Sequence, residues 1–147
     1  MIALADAAAT EAFGARLAAQ VAPGDVITLS GPLGAGKTSL ARGLLAALGL
    51  AGEAPSPSFA IVQPYAPPEV RLPVLHVDLY RLRDPRELDE LGLDEGASET
   101  LLIVEWPERA GHGYWPEVLA LDLAFADTGR CLTAQVGASW KARWPLT

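Results

Sequence analysis

A chain of 147 residues, half of them apolar and a fifth charged, suits one domain with a sizeable core; this excludes a disordered segment and leaves no room for a separate substrate domain. The formal net charge of −7 repels a polyphosphate backbone, and the basic side chains form no run, so any RNA is expected to be served only through partners. Positive charge is written almost wholly as arginine, and Lys37 and Lys141 are the two lysines.

The first 20 residues have no basic cluster and carry Asp6 and Glu11 where a secretory signal would be apolar, which points to the cytosol. Phe13, Leu17 and Val21 recur every four residues and predict a helix over 10–21, ended by Pro23-Gly24, with its apolar stripe against a sheet. A short β-branched strand over 26–30 then runs into Gly31-Pro32-Leu33-Gly34-Ala35-Gly36-Lys37-Thr38, and 37–48 reads as the next helix, stopped at Gly49. The longest weakly polar run, 43–52, is far short of the roughly 20 residues that cross a bilayer.

Residues 58–63 and 72–78 read as strands on either side of an exposed connection holding Pro64, Pro67, Pro68 and Pro73. Asp84-Pro85-Arg86-Glu87 supplies a cap, a proline at the first helical position and a first-turn acid, which predicts a short helix to about Leu91. Leu101-Leu102-Ile103-Val104 is a continuous apolar run, the mark of a strand buried on both faces. Residues 118–125 and 131–136 flank Asp127-Thr128-Gly129 as a hairpin, adding antiparallel strands at one side. Cys131 has no partner for an internal disulfide, and His76 and His112 are too few to build a zinc site with it; a small buried hydrophobe is expected. Trp140-Lys141-Ala142-Arg143-Trp144 is the one basic, aromatic patch, and packing of its rings on the domain is expected over a nucleic-acid or partner contact. The expected fold is α/β: a single P-loop NTPase-like domain over 1–147, three-layer α/β/α, with a mixed sheet and antiparallel strands at the C-terminal side.

The glycine-rich segment is the full G-x-x-x-x-G-K-[ST] phosphate loop. Glycines at 31, 34 and 36 let backbone N–H groups turn inward around phosphate oxygens, and the helix that follows aims its positive end at them. Gly34, Ala35, Gly36, Lys37, Thr38 and Ser39 are the expected nucleotide-binding run. Lys37 is suited to neutralise β- and γ-phosphate charge as a compact ammonium, and the Thr38 hydroxyl to ligate Mg²⁺. Two predicted strands end in an acid, Asp78 and Glu105, where strand C-termini open at the loop. The more apolar Glu105 strand is expected nearer the centre, making Glu105 the metal-side acid and Asp78 the holder of a metal-bound or attacking water. The alternative is that either acid caps a strand or pairs with Arg81 or Arg109.

Ser56-Pro57-Ser58-Phe59 lies where phosphate-loop proteins place nucleotide-sensing switches, so Ser56 and Ser58 are candidates to sense a γ-phosphate; an ordinary proline turn reads equally well. Trp106 either closes the site or fills core. The chain contains no asparagine, so the N-K-x-D guanine-reading motif cannot exist in its usual form and ATP is the expected nucleotide.

Together, Gly31 to Thr38, Ser56 to Phe59, His76-Val77-Asp78-Leu79-Tyr80-Arg81-Leu82 and Val104-Glu105-Trp106-Pro107-Glu108-Arg109 resemble the TsaE family of bacterial ATPases. The resemblance runs from about Thr10 to Arg130. It implies a cytosolic, Mg²⁺-dependent ATPase acting with TsaB and TsaD, which place threonylcarbamoyl on the adenosine beside the anticodon in tRNAs reading codons that begin with A. By position it implies Thr38 and Glu105 for Mg²⁺, Lys37 for phosphate, Asp78 for hydrolysis, Thr10 near the adenine and Arg130 near the nucleotide. Ser58 departs from the family's usual threonine. Other classes that share the loop are a small-molecule kinase, for which no Arg-rich lid is visible, and a non-hydrolysing nucleotide-gated scaffold.

Overall fold

A computed structural model of the chain describes residues 1–52, 62–94, 96–111, 113–115 and 117–144. In chain order it contains β1 (Ile2–Leu4), α1 (Ala7–Ala18), β2 (Val26–Ser30), α2 (Lys37–Ala47), β3 (Val62–Tyr65) and β4 (Val74–Asp78). After these come β5 (Leu101–Glu105), β6 (Leu119–Phe125) and β7 (Arg130–Val136), with 3₁₀ helices over Pro85–Leu91, Pro107–Ala110 and Ala138–Arg143. The strands form one seven-stranded mixed sheet in the order β1-β7-β6-β2-β5-β4-β3. β6, β2, β5 and β4 run parallel, whereas β3 and β7 are antiparallel to their inner neighbours and β1 is antiparallel to β7.

The apolar composition of each strand sets its place. Every residue of β5 is buried, and it lies between β2 and β4. Pro64 falls inside β3 and not in a connection; β3 is an edge strand, where a missing N–H disrupts no inner ladder. The remainder of the predicted 58–63 strand lies outside the described residues, as does His112. Three-residue β1 carries too short a pattern to have been predicted.

Helix α1 starts at Ala7 because Asp6 caps it, accepting a hydrogen bond of 2.8 Å from the Ala9 N–H. It ends at Ala18, leaving Val21 in the following turn but still in the core. Thr10 and Gly14 are poor interior helix residues, and a glycine costs about 1 kcal/mol relative to alanine. Full burial of Phe13 and Leu17, worth roughly 1.5–3 kcal/mol each, outweighs that cost. Gly14 also has a packing purpose: a Cβ there would run into the Leu40 carbonyl, and one on Gly43 would run into the Glu11 carbonyl. The two glycines let α1 and α2 lie backbone to backbone.

Both α-helices cover one sheet face, packing Phe13, Leu17, Leu40 and Leu44 onto Ile27, Leu29 and Ile103. On the opposite face, Val77 and Val104 are covered by Leu79, Leu82 and Leu88. The fold is thus α/β with a mixed sheet as expected, and the outer layer on this second face is built of 3₁₀ helix and loop. Antiparallel strands stand at both sides, β3 at one edge and β7 with β1 at the other. Trp140 is fully buried and Arg143 stacks on it at 3.9 Å while pairing with Asp25 at 2.6 Å, so the basic, aromatic patch packs on the domain. Cys131 is half-exposed on β7, short of the burial expected for it. Among the described residues no helix is long and apolar enough to cross a membrane.

Candidate nucleotide site

Strand β2 ends at Ser30 and the chain turns through Gly31 (φ 140°), Gly34 (φ 79°) and Gly36 (φ 108°) before α2 begins at Lys37. Left-handed φ values at three positions need glycine, and Gly31 needs it twice, because a Cβ there would meet the Leu123 carbonyl. Lys37 is the first helical residue and only 5% exposed. Its Nζ donates to the Gly31 carbonyl at 2.5 Å and the Pro32 carbonyl at 2.9 Å, and lies 4.2 Å from the centre of the Trp106 ring. Burial pulls the Lys37 ammonium below its ordinary pKa, while the negative charges of Glu105, Glu108, Asp78 and Asp122 oppose that shift.

The next side chain reaches the acid strand. Thr38 Oγ1 donates to Glu105 Oε1 at 3.0 Å across 67 residues of sequence. Glu105 ends β5 and Asp78 ends β4, paired side by side in parallel register, so alternation turns both carboxylates toward the face that carries the α-helices. Asp78 Oδ1 accepts the Tyr80 N–H at 2.9 Å. Burial pushes the Asp78 carboxyl above the usual aspartate range and the Glu105 charge adds to this, against the lowering effect of the Tyr80 N–H. A cavity of about 370 Å³ opens between the loop and these strand ends, with Lys37, Thr38, Asp78, Arg81, Glu105 and Trp106 in its wall.

A second cavity, of about 330 Å³, shares Gly34, Gly36 and Ser39 with the first and lies on the other side of the loop. Thr10, Ala35 and Arg130 line it. Buried Thr10 donates through Oγ1 to the Asp6 carbonyl at 3.2 Å. Arg130 reaches back over 96 residues to the Gly34 carbonyl, at 3.2 Å from Nη2, and stacks on Phe125 at 4.4 Å. The fold therefore brings Thr10, Gly34, Ala35, Gly36, Lys37, Thr38, Ser39, Asp78, Glu105, Trp106 and Arg130 to one loop. Ser56 and Ser58 lie outside the described residues.

Trp106 both covers the lysine and packs against core: it stacks on Tyr80 at 4.9 Å and borders the second hydrophobic cluster. Of the two candidate arginines, Arg81 stands in the cavity wall, while Arg109 lies over the outer Tyr80 ring at 5.5 Å. Two residues given no role by motif reading also belong here. His76 Nε2 lies 2.6 Å from Glu105 Oε2, and Tyr80 supplies both the N–H to Asp78 and a platform for Trp106. His76 was legible as the residue two before Asp78, hence on the same strand face.

The family model described as threonylcarbamoyl adenosine biosynthesis protein TsaE matches residues 4–132. The chain belongs to the TsaE family. It is 43% identical over 104 residues to the tRNA threonylcarbamoyladenosine biosynthesis protein TsaE of Mycobacterium leprae, a stretch covering 66% of this chain and 65% of that protein. The chain thus spans just under two thirds of that relative's length. The TsaE of Synechocystis is 46% identical over 111 residues (72% of this chain, 69% of the relative), and that of Rickettsia typhi 32% identical over 124 (84% and 85%). The crystal structure of YdiB from Bacillus subtilis superposes with a TM-score of 0.73 at 31% identity, covering 91% of this chain and 82% of that one. The TsaE match agrees with the resemblance carried by the H-x-D-L-Y-R-L and E-W-P blocks, and the YdiB match supports the α/β fold.

Proposed function

We propose that this chain is a Mg²⁺-dependent ATPase required, with TsaB and TsaD, for threonylcarbamoylation of the adenosine beside the anticodon in tRNAs reading codons that begin with A. The observation that carries the reading is the Thr38–Glu105 hydrogen bond beside the buried Lys37 ammonium, at the mouth of a glycine loop. A hydroxyl and two carboxylates offer only hard oxygen donors, the set that suits Mg²⁺, and the loop presents helix N-terminal N–H groups to an anion. The second cavity, lined by Thr10 and Arg130 and continuous with the loop glycines, supports a nucleoside end of the same ligand there.

In this reading Lys37 exchanges its two carbonyl partners for phosphate oxygens, Thr38 and Glu105 hold the metal, and Trp106 keeps water from the lysine. Bound Mg²⁺ would neutralise phosphate charge and polarise the phosphoryl group. Asp78 in its ionised form orients the attacking water and takes up its proton, and the burial that raises its pKa makes that carboxylate the stronger acceptor. Hydrolysis resets the complex with TsaB and TsaD between turnovers, because a nucleotide moves an equilibrium only by binding its two states unequally. The acidic surface leaves tRNA contact to the partners. A cytoplasmic location follows from that role.

Labelled ATP incubated with the protein, alone and with TsaB and TsaD, tests the proposal. Free phosphate released slowly alone and faster with both partners is expected. Phosphate transferred to an added metabolite would replace the reading with a kinase, and ATP left intact under all conditions would replace it with a scaffold.

A further inference from the structure

We infer that His76 is a positioning residue for the Glu105 carboxylate, holding Oε2 so that Oε1 stays turned to Thr38; this rests on the Mg²⁺–nucleotide reading of the site. His76 is fully buried in β4, opposite Ile103 of β5, in a strand otherwise written Val74, Leu75, Val77 before its terminal acid. An aliphatic residue would fill that place without an unpaired ring nitrogen, but would give up the donor to Glu105 Oε2. The imidazole pairs through one nitrogen only, and its Nδ1 has no hydrogen-bond partner among the described residues. An unpaired buried polar atom is destabilising. The bond to Glu105 is set against that unpaired nitrogen, so stability alone is a weak reason for a histidine here.

What the imidazole does contribute is directional. The Glu105 carboxylate is an acceptor, so Nε2–H donates to Oε2 at 2.6 Å, and both side chains are shielded from water. Thr38 donates more closely to the other oxygen, at 3.0 Å, and its Oγ1 also lies 3.3 Å from Oε2. Rotation about the terminal bond of a glutamate is broad, and a hydroxyl shared between both oxygens leaves its plane free; the shorter His76 bond holds Oε2 to one side and fixes it. Once the Thr38 hydroxyl turns its oxygen toward a cation, His76 is the side-chain donor that remains on Glu105 among the described residues. Hydrogen-bond partners of a ligating carboxylate typically carry 10–100-fold of metal affinity when removed, roughly as found across metal sites.

The test compares wild type with His76→Leu, His76→Gln and His76→Asn by the dissociation constant of a fluorescent ATP analogue, measured in Mg²⁺ and in EDTA. For His76→Leu the metal-free affinity should stay within about twofold of wild type, although the urea midpoint should fall because buried Glu105 loses a donor. The tightening caused by Mg²⁺ should shrink by about tenfold or more. His76→Gln, whose amide N–H reaches the place of Nε2, should recover most of the tightening, whereas the shorter His76→Asn should not. A Leu variant with wild-type Mg²⁺ tightening overturns the inference, as does an equal loss in Mg²⁺ and in EDTA. If the Leu variant does not fold, the Gln and Asn pair decides: equal tightening in the two overturns the inference, and tightening kept only by Gln sustains it. A wild-type protein that shows no Mg²⁺ tightening would overturn the nucleotide reading itself, and this inference with it.

Discussion

Replacing Lys37 with methionine separates the cost of the lysine to folding from its use in binding. In the structure its ammonium makes two hydrogen bonds to carbonyls and one contact with the Trp106 ring. Bonds from a charged donor contribute about 1.5–3 kcal/mol each, and a cation–π contact about 0.5–2. Against these stands the withdrawal of an ammonium from water into a site where it is 5% exposed, which costs several kcal/mol. The terms nearly cancel, and methionine keeps the apolar stem, so Lys37→Met should change folding stability by no more than about 2 kcal/mol. Nucleotide binding should respond far more. At the lower figure, two lost charge-assisted bonds to phosphate amount to about 3 kcal/mol, or about 150-fold in affinity. Calorimetric titration with a non-hydrolysable ATP analogue, paired with urea unfolding of the same samples, reads both quantities. Binding within threefold of wild type would refute the placement of Lys37 on phosphate. A stability loss above about 4 kcal/mol would refute the claim that its role lies in binding.

Glu105→Gln should abolish the gain in ATP affinity caused by Mg²⁺ while leaving metal-free affinity nearly intact, since the amide oxygen carries no charge to balance the metal; titration with and without EDTA reads the split. Gly43→Ala should lower stability by about 1–3 kcal/mol in urea unfolding, because the new Cβ meets the Glu11 backbone; this would override alanine's advantage of about 1 kcal/mol in an unpacked helix. Asp78→Asn tests the raised pKa. A folded-state value above the unfolded one means the native state binds more protons, so stability falls as pH rises through the window between the ordinary aspartate value and the raised one. Asparagine retains the acceptor for the Tyr80 N–H without the buried charge. The variant should therefore be at least as stable as wild type at pH 7, and that advantage should disappear below the ordinary aspartate pKa.

The parts of this molecule that could be read from the chain are those whose cause is local. The unit β2, loop and α2 is contiguous, and its glycines and β-branched run are sufficient signals. The central place of β5 followed from Leu101 to Val104 being apolar on both faces. Positions decided by register or by distant approach were not legible in that way. His76 meets Glu105 only because β4 and β5 pair in one register out of several, and Arg130 meets Gly34 only because β7 returns beside β6. The glycine pair at 14 and 43 lowers helix propensity in both segments, and its reason appears only when α1 and α2 are seen to cross at those residues. Thr10 and Arg130 entered through family resemblance, with no local pattern to mark them, and the fold sets them in the wall of one cavity.

Trp106 shows how the acid strand and the phosphate loop are tied into one device. It is the one non-glycine residue with positive φ (60°) among the described residues, a conformation that costs about 1–3 kcal/mol. The chain must leave the sheet immediately after Glu105 if the indole is to fold back over Lys37, and the left-handed turn does this in a single residue. Its N–H is meanwhile bonded to the Leu29 carbonyl at 3.2 Å, on the strand that feeds the loop. Contacts with Tyr80 at 4.9 Å and with the ammonium at 4.2 Å offset the strain. Glycine would relieve the backbone yet uncover the lysine, and alanine would keep the strain and lose both contacts. The strained tryptophan is therefore explained by the lysine it covers: the residue that follows the acid strand also shields the Lys37 ammonium from water.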